Sequence, residues 1–193
     1  MSSFSAWGPT DDGRIKPDLV ANGMGLLSTH ITAVDGYVGD SGTSMASPNA
    51  SGTLHLLAQY WKDTHGGLPP RSATLKGIAI HTANEAGTAD GPDYEFGWGL
   101  LNAVGAAYLI NGDTVFDDRA VETDLAQGEA DTLTWWSDGS TPVTATICWT
   151  DPAATPSAWT LDPPEAKLVN DLDLRIERVA DGFPHEPWIL DPA

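Results

Sequence analysis

Apolar residues recur along the chain with two different periods, and the period switches near residue 112. In the first part the spacing is helical. Leu54, Leu57, Ala58 and Trp61 lie three or four residues apart within MASPNASGTLHLLAQYWKDTHGG, which predicts a helix running from after Pro48 to a stop at Gly66-Gly67. PPRSATLKGIAIHTA predicts a second helix, with Pro70 near its first turn and Leu75, Ile78 and Ala79 on one face. The turn-rich stretch GPDYEFGWGLLNA leads into LLNAVGAAYLINGD, a third predicted helix that Asn111-Gly112 should end. Ahead of all three, KPDLVANG (16–23) is a short apolar run closed by glycine and predicts a buried strand.

After Asp113 the pattern alternates. ADTLTWWSDG, TPVTATICWTDP and LVNDLDLRIERVADG interleave apolar and polar residues between Gly, Pro and Asp, as half-buried antiparallel strands do. The expected architecture is therefore an α/β part over 1–111 and a thin antiparallel β part over 112–193. Three or four strands make an incomplete sandwich, and the run breaks off at WILDPA, so the β part is expected to be truncated.

Composition narrows the picture. The 193 residues suit one or two domains, and 41% hydrophobic residues with eight tryptophans support a packed core. No apolar run approaches the roughly 20 residues of a membrane helix. MSSFSAWGPTDD has neither the basic nor the apolar region of a signal peptide. With 27 acidic against 9 basic residues and a formal charge of −18, the surface repels phosphate backbones. Neither nucleic acid nor membrane is an expected partner, and the charge suits an exported protein. The one cysteine, Cys148, excludes an intrachain disulfide and sits in the alternating VTATICWTD, where a core thiol is expected.

Candidate chemistry centres on GDSGTSMASP (39–48). A serine hydroxyl becomes a nucleophile only when a base takes its proton and donors meet the oxyanion that forms. Ser44 at a helix start would have free backbone N–H groups and the positive end of the helix dipole beside it. Gly42 allows a tight approach, Ala46 and Ser47 leave the surface open, and Pro48 is tolerated near a first turn. From spacing alone an ordinary helix cap fits as well. An esterase elbow G-x-S-x-G is incomplete, because Ala46 stands where its second glycine would be.

The longer order of motifs is more specific. GRIKPDLVANG, then GTSMASP with its helix, then GPDYEFGWGLLNA, over about residues 3–111, resembles the subtilisin-like serine proteases, or subtilases. Ala21-Asn22-Gly23 departs modestly from the family's APG. The resemblance implies a parallel sheet flanked by helices, a serine endopeptidase acting on proteins or peptides, no catalytic cofactor and secretion. It makes Ser44 the acyl-forming nucleophile and its backbone N–H half of the oxyanion hole.

The family's triad aspartate and histidine and its oxyanion asparagine lie well upstream of the serine, and no DTG-like or HGT-like motif occurs in this chain. His30, His55, His65, His81 and His185 have no motif context as a base. His55 lies roughly 16 Å along the helix from Ser44 by helix rise. Asn22 belongs to the KPDLVANG turn. The expectation is the C-terminal part of a catalytic domain, with the N-terminal half as its partner and no peptidase activity without it. The alternative is a non-catalytic protease remnant carrying a β-rich calcium- or protein-binding module.

In LVNDLDLRIE, Asp171 and Asp173 share one strand face, with Leu172, Leu174 and Ile176 on the other. A solvated acidic face explains this, and so does a Ca²⁺ site of hard oxygen ligands with Asn170 beside it. CWTDP followed by LVNDLDL and HEPWILDPA resembles the jelly-roll domain that follows some bacterial subtilase domains, where structural calcium occurs. That resemblance marks Asp171 and Asp173 as candidate ligands, Asn170 behind them, and Asp151 as a weaker candidate.

Overall fold

A computed structural model describes residues 1–88, 90–116, 119–157 and 159–190. The last three residues of the HEPWILDPA stretch, 191–193, lie outside the described residues. The elements are β1 (Leu26–Thr29), β2 (Tyr37–Asp40), α1 (Thr43–Thr64), α2 (Ser72–His81), α3 (Ala103–Phe116), β3 (Ile176–Arg178) and β4 (Phe183–His185).

The three helices form where the helical period predicts them, and their shared apolar faces make the core. Leu57 and Trp61 of α1, Ile78 of α2, and Ala106 and Ile110 of α3 are buried together, with Leu54, Leu75 and Leu109 packed against them. Each large side chain in that set contributes about 1.5–3 kcal/mol by leaving water. Asn102 starts α3: its Oδ1 accepts the Gly105 N–H at 2.8 Å, supplying an acceptor that the first helical turn lacks.

Three helix boundaries differ from expectation. The α1 helix begins at Thr43, five residues before Pro48, because the Met45 and Ala46 N–H groups both bond the Gly42 carbonyl. Pro48 is thus inside the helix, and having no N–H it leaves the Ser44 carbonyl without its usual i+4 donor. Pro70 precedes α2, which starts at Ser72. The α3 helix runs through Asn111-Gly112 to Phe116. Tertiary contacts override the stop signal: Ala106, Ile110 and Asp113 follow one another on a single buried face. The Asp113 carboxylate also accepts the Arg119 and Ala120 N–H groups at 2.8 Å each and faces His65 Nε2 at 3.1 Å. The His65 ring, stacked on Trp61 at 3.8 Å, closes the end of α1.

The sheets depart further from expectation. KPDLVANG contributes only a parallel bridge, Val20 to Leu100, in place of a full strand in a parallel sheet. Trp98 donates to Asp18, Val20 to Gly99 and Leu101 to Val20, while Asn84 exchanges both bonds with Leu100 on the other side. The GWG segment is therefore the middle ribbon of three. Gly97 has φ +64, and a Cβ there would lie 2.6 Å from the Asp18 carbonyl oxygen, so the ribbon closes only over glycine. An unpredicted antiparallel hairpin, β1–β2, pairs Leu26 with Asp40 and Thr29 with Tyr37.

Beyond residue 120 the described residues hold one hairpin, β3–β4, where three or four strands were expected. ADTLTWWSDG and TPVTATICWTDP form no regular strand. A strand exists by pairing its backbone groups with a neighbour, and no described segment lies in register beside these two. The alternation itself persists: Leu172, Leu174 and Ile176 are half-buried while Asp171, Asp173 and Arg175 are exposed. This part is nevertheless tied to the helices. Glu122 accepts the Arg71 N–H at 3.1 Å and the Thr74 hydroxyl at the start of α2, Thr146 Oγ lies 3.0 Å from His81 Nδ1, and Trp188 rests against Gly91.

Candidate active site

Ser44 is the second residue of α1, and it is exposed. A close approach holds the helix start in place. The Gly42 N–H bonds the Gly23 carbonyl at 2.8 Å, and a Cβ on Gly23 would lie 2.7 Å from the Gly42 oxygen and 3.1 Å from the Ala46 Cβ. The glycine closing KPDLVANG thus lets that turn sit directly on the first turn of α1. No side chain caps the helix. Among the described residues, the Thr43 and Ser44 N–H groups have no acceptor, while Met45 and Ala46 use the Gly42 carbonyl. A 22-residue helix therefore presents two free donors and its positive end beside an exposed hydroxyl. That arrangement suits stabilisation of an oxyanion formed by attack of Ser44 on a carbonyl.

No histidine pairs with Ser44 among the described residues, and each has its own neighbour. His30 Nδ1 lies 3.2 Å from Thr32 Oγ1, His55 Nδ1 3.1 Å from the Ser51 carbonyl, and His65 faces Asp113. His81 meets Thr146, and burial keeps its ring below the ordinary histidine range. His185 packs edge-on against Phe183. Asn22 Oδ1 accepts the Met24 N–H at 3.0 Å, closing its own turn.

In the acidic segment, Asn170 and Asp151 come together while Asp171 and Asp173 point to solvent. Asp151 accepts the Val169 N–H at 2.7 Å, the Asn170 N–H at 3.0 Å and the Asn170 side-chain amide at 2.9 Å. The Val169 amide, with help from Asn170 and against the cost of desolvation, holds the Asp151 carboxyl below the usual carboxylate range. This joins CWTDP to LVNDLDL across the chain. Among the described residues no three His, Cys, Asp or Glu side chains gather as a metal cluster. Cys148 is half-buried against Gly77 of α2, and burial raises its thiol above the ordinary range, so it stays protonated near neutrality.

Sequence reasoning missed two structural carboxylates, Asp113 and Glu122. Asp113 was legible in principle, since it continues the buried face of α3 three residues after Ile110. Glu122 gives no local signal, because its partners are 48 and 51 residues away.

Residues 1–99 match the family model described as Subtilase family. The Serine protease/ABC transporter B family protein tagA of Dictyostelium discoideum is 28% identical over 212 residues, covering 94% of this chain and 12% of its own length. C5a peptidase of Streptococcus pyogenes is 40% identical over 70 residues, covering 36% of this chain and 6% of its own length. The solved CspB protease of Clostridium perfringens aligns with 32% identity and a TM-score of 0.44, covering 51% of this chain and 21% of that one. The chain thus spans a small part of the curated relatives it matches, 12% and 13% of the two from Dictyostelium.

Proposed function

The chain belongs to the subtilase family, and on that footing we propose that it supplies the nucleophilic serine, Ser44, of an endopeptidase that hydrolyses peptide bonds in proteins. The observation that carries this is the exposed Ser44 hydroxyl at the mouth of α1, beside two N–H groups without acceptors. A histidine takes the Ser44 Oγ proton as Oγ attacks the scissile carbonyl carbon, and the oxyanion rests on the Ser44 N–H. The C–N bond breaks as the amine leaves with that proton, and water then cleaves the acyl-serine ester to release the acid and restore the hydroxyl. The base, the aspartate that orients it and a second oxyanion donor come from the N-terminal half of the catalytic domain, which acts as partner to these residues. No metal or organic cofactor takes part in the chemistry.

The same proposal takes residues 112–193 as the opening of a jelly-roll module. The Dictyostelium relatives match across 94% and 95% of the chain, which supports the β part travelling with the catalytic part. Asp171 and Asp173, with Asn170 beside them, offer oxygen ligands to a structural Ca²⁺. The acidic surface and the family suit a secreted protein.

The test is complementation. The 193-residue chain alone should cleave a fluorogenic peptide no faster than buffer. Adding the upstream segment that carries the aspartate, histidine and asparagine should restore turnover, and Ser44→Ala should remove it. Turnover that survives Ser44→Ala would overturn the proposal. Failure of every combination would favour the non-catalytic remnant.

A further inference from the structure

The turn that carries the nucleophile is anchored by a side chain the family match does not single out. Three ties run in succession from the hairpin to the mouth of α1. The β1–β2 ladder begins at Leu26 opposite Asp40. One residue on, the Gly25 N–H donates to Ser41 Oγ at 2.8 Å, a bond across 16 residues of sequence. One residue further, the Gly42 N–H donates to the Gly23 carbonyl at 2.8 Å. The Asp40 carboxylate accepts the Ser41 N–H at 2.7 Å.

Between the Leu26–Asp40 pair and the Gly42–Gly23 bond, the Ser41 hydroxyl adds a side-chain tie across the two segments, so the turn is held at three successive points. Asn22 Oδ1 is used within the turn by the Met24 N–H, and Gly25 has no side chain; the side-chain tie to the segment leading into α1 comes from Ser41. The element so held is the start of α1, where the Gly42 carbonyl receives the Met45 and Ala46 N–H groups.

We propose that Ser41 is a positioning residue for the hydrolytic reaction: its hydroxyl locks the 22–25 turn to the first turn of α1 and thereby aims the Ser44 hydroxyl and N–H. This rests on Ser44 being the nucleophile. Ser41 itself neither touches the substrate nor moves a proton.

Amide hydrogen exchange in the 193-residue chain tests the lock without any need for turnover. Ser41→Ala should speed exchange about five- to ten-fold at Gly25 and also at Gly42, Met45 and Ala46, the effect of losing one net hydrogen bond. The amides of α2 should not change, and Ser41→Thr should restore the original rates. Faster exchange confined to Gly25, or no change at all, overturns the proposal. In the complemented peptidase, Ser41→Ala should lower kcat about ten-fold with KM within about two-fold, because misplacement of a nucleophile acts on the chemical step. Ser41→Thr should again rescue. Unchanged kcat in Ser41→Ala, in an enzyme that Ser44→Ala inactivates, overturns the positioning role alone. Turnover that survives Ser44→Ala overturns the nucleophile assignment instead.

Discussion

The helical layer buries one shared apolar face, whereas among the described residues after 120 no apolar side chain is fully buried. Ala106 and Ile110 are 0% exposed, whereas Trp136 is 87% and Ile189 86% exposed. The difference lies in where each element finds its hydrogen bonds. A helix satisfies its backbone within one stretch of chain, so α1, α2 and α3 need one another only to cover their apolar faces. A strand satisfies nothing alone, so an alternating stretch becomes a strand only where a partner lies in register. The β3–β4 hairpin supplies its own partner and forms. TPVTATICWTDP has none among the described residues and stays irregular, although Cys148 and Thr146 still lean on α2.

If that contrast is right, stability should track the helical core. Ile110→Ala should have the largest effect, a loss of about 2–5 kcal/mol from the lost burial and the cavity left behind. Urea denaturation followed by far-UV circular dichroism would measure it. Glu122→Ala should be smaller, about 1 kcal/mol, because it removes the remote carboxylate that bonds Arg71 and Thr74 at the start of α2. Its place between the two regions makes it the mutation most able to blur the contrast: a loss as large as that of Ile110→Ala would mean the regions fold as one unit.

Acidification should act at the same junction. Burial lowers the His81 pKa from 6.5 in the folded chain, so the folded state takes up a proton less readily than the unfolded one. The associated stability is fully present above the unfolded value and declines as pH falls below it towards the folded value. The ring is still partly open to water, so screening should hold the change under about 1 kcal/mol. Denaturation midpoints between pH 7.5 and 5 would show it, and His81→Gln should flatten the profile. Smallest of all, Trp136→Ser should stay within about 0.5 kcal/mol, since the side chain is already in water. A larger loss would show that this tryptophan packs against something.

The same physics explains how much was legible beforehand. Leu54, Leu57, Trp61, Leu75, Ile78 and Ala79 mark the buried faces of α1 and α2 because helical periodicity is a local property. The far end of α3 was misjudged because Asp113 binds residues 65, 119 and 120, which no window around Asn111-Gly112 contains. The hairpin leading to Ser44 went unseen for a similar reason, its register being set by pairing of Leu26 with Asp40. The family itself was legible through the order of flanking motifs, and the proposal of Ser44 rests on them. The free N–H neighbours of Ser44 follow from helix geometry once the helix start is known. The bonds that aim it, from Gly42 to Gly23 and from Gly25 to Ser41, join residues 16 or more apart and became visible only in three dimensions.

The assignment of the nucleophile is tested most directly by covalent capture. The chain, complemented with its upstream segment, would be treated with a fluorophosphonate and the modified peptide located by mass spectrometry. The expected result is a single adduct on Ser44, absent from the chain alone and from Ser44→Ala. An adduct on a different residue, or hydrolysis of peptide with Ser44 left unmodified and the probe without effect, would contradict the account.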